Sequence, residues 1–172
     1  MKNQKRYENE LPPTLEKGYV NLADCRIVDK RPSRVSLPPL DQICIVVEDI
    51  DNAVDFYGSV FGLGPFYVTE TESREGVVNG KKHRYRLKLA FALSGLIEIE
   101  LIQVLEGNTI HTDFLKKKGE GIHHLRFTVG DIEGMLEELS KDGIEPVMGR
   151  EHFALLNSDK VGGAIFELLQ AK

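Results

Sequence analysis

The chain has 172 residues, 41% of them apolar, enough to bury a core in one domain or in two small units that share one. Lys and Arg total 22 against 27 Asp and Glu, a net charge of −5 that lacks the basic footprint of a nucleic-acid binder. No stretch approaches the roughly 18 apolar residues of a membrane span, and the polar start lacks the apolar run of a secretory signal, so a cytoplasmic protein with no membrane partner is expected.

Residues 1–39 read as an appended basic arm. Residues 1–37 carry 8 basic and 5 acidic side chains against 14 and 22 in the remainder, and five of the seven prolines fall at or before Pro39. Cys25 and Cys44 lack the spacing of a disulfide framework or a cysteine zinc site and are expected to be ordinary reduced thiols.

After Pro38-Pro39 the apolar run Ile43 to Val47 predicts a strand. Asp49 or Asp51 then caps a helix whose Ala53, Val54, Phe56, Tyr57, Val60 and Phe61 recur at helical spacing, and Gly62 to Pro65 stop it. Strands are expected near residues 66–72, 84–93 and 96–105, with a turn at Val78-Asn79-Gly80-Lys81. A linker is expected from Gly107 to Gly121. The strand–helix–strand order then repeats as a strand near 122–129, a helix from Asp131 to Lys141, and strands near 144–149, 152–157 and 163–169, with Gly162-Gly163 turning into the last. The fold class is therefore α+β, a domain over 40–172 made of two tandem βαβββ units, at about 40–106 and 121–172.

The two units align residue by residue. Laying Asp49-Ile50 over Asp131-Ile132 puts Gln42 opposite His124, and Ile99-Glu100-Leu101-Ile102-Gln103 lies over Phe166-Glu167-Leu168-Leu169-Gln170. Strand parity sends Ile43, Ile45 and Val47 to one face and Gln42, Cys44 and Val46 to the other. By the same rule Glu100, His124 and Glu167 face away from the apolar, helix-covered side. Gln42, Glu100, His124 and Glu167 are thus expected to converge in a cleft as ligands of a divalent ion. Buried carboxylates need cations, so salt bridges to Arg86, Lys88 and Arg126 are the alternative account of Glu100 and Glu167. His123 is expected on the face opposite His124. His83, His111 and His152 are expected in solvent, and Lys116-Lys117-Lys118 as a surface cluster at a helix end.

The tandem units, the openings that end Phe56-Tyr57…Phe61-Gly62-Leu63-Gly64, and Gly119-Glu120-Gly121-Ile122-His123-His124 resemble the vicinal oxygen chelate superfamily, which includes glyoxalase I, methylmalonyl-CoA epimerase, extradiol dioxygenases and bleomycin-resistance proteins. The resemblance covers about residues 40–170. It implies a half-open eight-stranded barrel around one divalent ion (Zn, Co, Ni or Mn), with ligand slots falling on Gln42, Glu100, His124 and Glu167, and a homodimer. Asn108 to His124 and Gly162 to Glu167 look like methylmalonyl-CoA epimerases, whereas Gln42 stands where those epimerases usually have His and completes a set similar to zinc-type glyoxalase I. Gln103-Val104-Leu105 stands where such glyoxalases commonly carry Asn-Trp-Gly. Lys88 occupies the strand position of a catalytic carboxylate in some epimerases.

The resemblance implies a metal-dependent isomerase or lyase that moves a proton next to a thioester or ketone carbonyl of a small molecule, an acyl-CoA or other carbonyl compound. Glu167 or Glu100 would be the base, and Arg86, Lys88 and Arg126 would meet the substrate's anionic group. Glyoxalase I (lactoylglutathione lyase) chemistry, ring-cleaving dioxygenation and non-enzymatic small-molecule sequestration are the alternatives.

Overall fold

A computed structural model describes residues 12–18, 21–26, 32–157 and 162–172. The chain divides into two compact units, Met1–Ser33 and Arg34–Lys172. In the first, a helical turn at Pro13–Glu16 and a 3-10 turn at Leu22–Asp24 are described. The parts of the expected arm at 1–11, 19–20 and 27–31 lie outside the described residues.

The second unit is α+β. Strands β1 (Gln42–Val46), β2 (Tyr67–Glu70), β3 (Arg74–Val78), β4 (Lys81–Ser94), β5 (Ile97–Glu106), β6 (Gly121–Val129), β7 (Pro146–Arg150), β8 (Phe153–Leu156) and β9 (Ile165–Gln170) form one mixed sheet. Helices α1 (Ile50–Phe61), α2 (Ile110–Lys118) and α3 (Ile132–Ser140) accompany it. β3 pairs with residues 81–85 of β4 and β2 with residues 88–91, so β2 and β3 occupy successive stretches of β4. β4 also pairs with β5, and the strands close into an eight-membered ring in the order β3-β4-β5-β1-β6-β9-β8-β7. The ring is barrel-like, and its closing seam is short, with only Val77 opposite Gly149 and Val78 opposite Met148.

The duplication read from the sequence is visible in the cap chemistry. Asp49 accepts from Asn52 N at the start of α1, and Asp131 accepts from Gly134 N at the start of α3. The paired glutamines do the same work in both units. Gln103 Oε1 accepts from Ile50 N at 3.1 Å and Gln170 Oε1 from Ile132 N at 2.9 Å, tying each helix to the last strand of its own unit. The strand register repeats as well: β1 runs parallel to β5 with Gln42 beside Glu98, and β6 runs parallel to β9 with His124 beside Ile165.

Face parity sorts the core into three layers. Ile45, Val47, Ile99 and Leu101 pack under α1, while Leu125, Phe127, Phe166 and Leu168 pack under α3. The inner layer of the ring holds Cys44, Val46, Tyr85, Leu87, Ile102, Met148 and Leu155. Asn79 and Gly80 both take positive φ in the expected β3–β4 turn, as do Gly162 and Gly163 before β9.

Two elements depart from expectation. β3 lies in polar sequence whose alternation carries no strand signal. The expected linker from Gly107 to Gly121 instead contains α2, opened by a capping box between Thr109 and Thr112 and closed at Gly119. Its Ile110, Phe114 and Leu115 pack on the inner layer, so the cleft is partly filled by a helix of this same chain. Gly107 lets the chain leave β5 close against β4: at φ 86° a Cβ there would lie 2.2 Å from Arg84 O.

Gln103→Leu removes the acceptor of a buried helix-start N–H while keeping side-chain volume. It is expected to destabilise the protein by about 1–2 kcal/mol, read by urea unfolding.

Candidate functional site

Cys44 lies opposite Glu100 on one side and opposite His124 on the other, because β1 is sandwiched between β5 and β6. This register gathers a thiol, a carboxylate and an imidazole whose ligand atoms lie within 4.8 Å of one another, all buried. Glu167 joins them from β9: its Oε2 lies 3.1 Å from His124 Nε2, and Glu100 Oε2 lies 3.7 Å from the same nitrogen. Neither approach has hydrogen-bond geometry, and His124 Nε2 has no hydrogen-bond partner. Two carboxylates therefore crowd one unpartnered nitrogen.

Gln42 faces the same interior two residues before Cys44 and is 1% exposed. Its Nε2 donates to Glu98 Oε1 at 2.6 Å, which leaves its Oε1 buried and unpartnered. Of the predicted set, the structure brings Glu100, His124 and Glu167 together directly and places Gln42 in the adjoining layer of the same face. Cys44 is the member that sequence reasoning passed over as an ordinary thiol. It shares parity with Gln42, and that parity was the available signal.

The electrostatics follow from burial. Desolvation pushes the Glu100 carboxyl up to about 8, and the Glu167 charge pushes the same way, against the pull of Arg126 and a hydrogen bond from the Cys44 thiol. Burial likewise raises the Cys44 thiol, with Glu100 and Glu167 adding to it, so the sulfur keeps its proton. Desolvation holds His111 well below the usual imidazole range and lowers His123 to about 3, leaving both rings neutral.

The predicted cations fall elsewhere. Tyr85 and Leu87 point into the ring, which sends Arg86 and Lys88 of β4 to the helix side, the face opposite Glu100. Arg86 pairs there with Glu70 and Glu106, both at 2.8 Å, and Lys88 with Asp51 of α1 at 2.6 Å. Arg126 does face the interior. Its guanidinium is held by Asp41 at 2.7 Å and Glu98 at 3.2 Å, so the salt-bridge alternative is met by carboxylates other than Glu100 and Glu167.

Two histidines also differ from expectation. His111, expected in solvent, is 2% exposed because it rides on α2, and neither ring nitrogen has a partner. His123 was expected opposite His124, but β6 carries a bulge there. Cys44 pairs with His124 and Ile45 with Ile122, so His123 is the extra residue, and its Nδ1 meets His124 Nδ1 at 2.9 Å. Alternation alone could not reveal a bulge. His123 and His124 line a cavity of about 680 Å³ bordered by Phe114, Lys117, Lys118 and Gly162-Gly163.

The donors fit a divalent ion. An unpartnered imidazole nitrogen, an orphaned amide oxygen and two carboxylates, one of them costly to ionise beside the other, form the borderline N/O set such an ion completes.

Residues 41–158 match the family described as the Glyoxalase/Bleomycin resistance protein/Dioxygenase superfamily. The uncharacterized protein YqjC of Bacillus subtilis is 29% identical over 140 residues, covering 77% of this chain and 92% of that protein. Among solved structures, methylmalonyl-CoA epimerase from Mycobacterium tuberculosis superposes with a TM-score of 0.56 at 22% identity, covering 79% of this chain and 89% of that one. The Streptomyces coelicolor methylmalonyl-CoA epimerase in complex with 2-nitronate-propionyl-CoA gives 0.55 at 21% identity, covering 79% and 99%. These two likenesses show the fold.

Glu100 carries its proton in the folded, metal-free protein up to pH about 8, whereas the unfolded chain releases it near the ordinary carboxylate value. The folded state then binds more protons between those values, so metal-free stability is expected to fall as pH rises from about 4.5 to about 8. Thermal midpoints against pH check this, and Glu100→Gln should flatten the slope.

Proposed function

The chain belongs to the glyoxalase/bleomycin resistance protein/dioxygenase superfamily, and from that premise we propose that it is a divalent-metal-dependent isomerase of the methylmalonyl-CoA epimerase kind, moving a proton next to the carbonyl of an acyl thioester. One observation carries the reading: His124 Nε2 stands unpartnered between Glu100 and Glu167 inside the ring. Gln42 Oε1, Glu100, His124 Nε2 and Glu167 are the proposed ligands. A divalent ion held by them would polarise a substrate carbonyl and lower the cost of removing the neighbouring C–H proton.

The residues of the chain supply the rest. Glu167, with 14% of its side chain exposed against 11% for Glu100, is the more open carboxylate and is assigned as the ligand that would give up the ion to take the α-proton. The Cys44 thiol steadies Glu100 through its hydrogen bond and does not compete as a thiolate. Arg126 offsets part of the carboxylate charge from one layer away. The cavity that reaches His123 and His124 is bordered by Lys117 and Lys118, cations suited to the phosphates of an acyl-CoA. An acyl-CoA substrate also agrees with the ligand of the superposed epimerase.

A second reading, glyoxalase-type isomerisation of a hemithioacetal, is favoured by Gln42 at the first ligand position. Exposed Phe56, Val60 and Phe61 of α1 and Tyr67 and Val68 of the edge strand β2 are proposed as the face on which two copies pair.

Purified protein is expected to hold about one divalent ion per chain, and Glu167→Gln and His124→Ala to lose most of it, by elemental analysis. In D₂O the loaded wild type should exchange the α-proton of methylmalonyl-CoA, and Glu167→Gln should slow exchange by about 10²-fold or more. Metal without exchange would direct the assay to hemithioacetals, and no metal in any preparation would overturn the enzyme reading.

A further inference from the structure

His111, His123 and His124 form a cluster of buried imidazoles on the far side of the His124 ring from the carboxylates, with one nitrogen of each within 4.8 Å of the others. The nearest pair of nitrogens is committed already. His123 Nδ1 and His124 Nδ1 stand 2.9 Å apart in hydrogen-bond geometry, so one ring donates a proton to the other, and an ion among the three would have to displace that proton.

Which ring donates decides what His124 can do. A neutral imidazole carries a single ring proton. If His123 donated, the proton of His124 would sit on Nε2 and occupy the lone pair that faces Glu100 and Glu167. If His124 donates, its Nε2 is bare. We propose that His123 is a positioning residue whose Nδ1 accepts the Nδ1–H of His124, holding His124 in the tautomer that offers Nε2 to the site between Glu100 and Glu167. This role rests on the reading of His124 as a metal ligand given above.

The surrounding structure is built to keep His123 in place. The bulge in β6 makes it the extra residue and turns it onto its neighbour instead of the opposite face. The two rings stand at 82° with centroids 5.2 Å apart. Phe114 of α2 meets His123 edge-on at 5.0 Å, and His111 of the same helix lies against it at 4.5 Å. A carbonyl or carboxylate is the usual acceptor for the second nitrogen of a ligating histidine, and here an uncharged imidazole takes that place. It sets the tautomer without adding negative charge to a site that already holds two glutamates.

The test uses full-length protein with ¹⁵N-labelled histidine, read for scalar coupling across the hydrogen bond between the two Nδ1 atoms, together with zinc affinity by chelator competition. Coupling is expected, with the proton on His124 Nδ1 in the zinc-loaded protein. His123→Leu, which has no acceptor, should weaken zinc about 10- to 100-fold. His123→Asn, whose Oδ1 can accept from about the place of Nδ1, should recover most of that loss.

A zinc-binding wild type without the coupling, or with the proton on His123, would overturn the role of His123 alone. Zinc affinity unchanged in His123→Leu, or as weak in His123→Asn as in His123→Leu, would do the same. Should His123→Leu fail to fold, the coupling and His123→Asn still decide. Coupling in a wild type that binds no zinc would overturn the ligand reading of His124 instead. Two zinc ions per chain, one of them lost in His111→Leu, would place an ion among the imidazoles and overturn the proposal.

Discussion

Glu100 and Glu167 reach the interior of one ring of strands from opposite flanks of His124, and burial there raises the cost of ionising Glu100. Arg126 is the positive side chain nearest to hand, and Asp41 and Glu98 already hold it. Among the described residues the interior is therefore short of positive charge. Much of the local arrangement answers that deficit: the thiol hydrogen-bonded to Glu100, the neutral imidazoles behind His124, and the amide oxygen of Gln42 left without a partner.

The duplication supplies the frame on which this deficit is mounted. In both units an aspartate caps the helix and a glutamine from the last strand ties down its first turn, which fixes where each first strand meets each last strand. On that shared frame the interior positions have diverged. Gln42 answers to His124, and Cys44 answers to Arg126, so one half brings two uncharged side chains where the other brings an imidazole and a guanidinium. The outside of the repeat preserves geometry while the inside specialises.

Much of this was legible in the sequence because periodicity and parity are read from neighbouring residues. The helices over Ile50–Phe61 and Ile132–Ser140, the β1 and β6 strands, and the inward faces of Glu100, His124 and Glu167 all follow from local alternation and cap residues. What escaped depends on distant contacts. α2 is a short helix whose Ile110, Phe114 and Leu115 gain their meaning only from the strands they cover. His123 was misread because a bulge is set by the register of a partner strand. Arg86 and Lys88 were placed near the carboxylates by their charge, although the parity of β4, counted from Tyr85 and Leu87, sends them to the other face.

The ring is fastened unevenly. On one side β1 and β6 are hydrogen-bonded along the whole length of β1, and the four candidate ligands stand on these strands and the two that flank them. On the other side β3 and β7 pair only through Val77 and Val78, with Asn79 N donating to Val147 O just beyond them. Cavities lie along this weak join: Val77 and Gly149 line one of about 520 Å³, and Asn79 and Val147 border the one that reaches His124. Thermal breathing of the sheet is cheapest where the fewest hydrogen bonds must part. The fold is thus shaped like a clasp, held fast where the candidate ligands stand and joined most lightly at β3–β7.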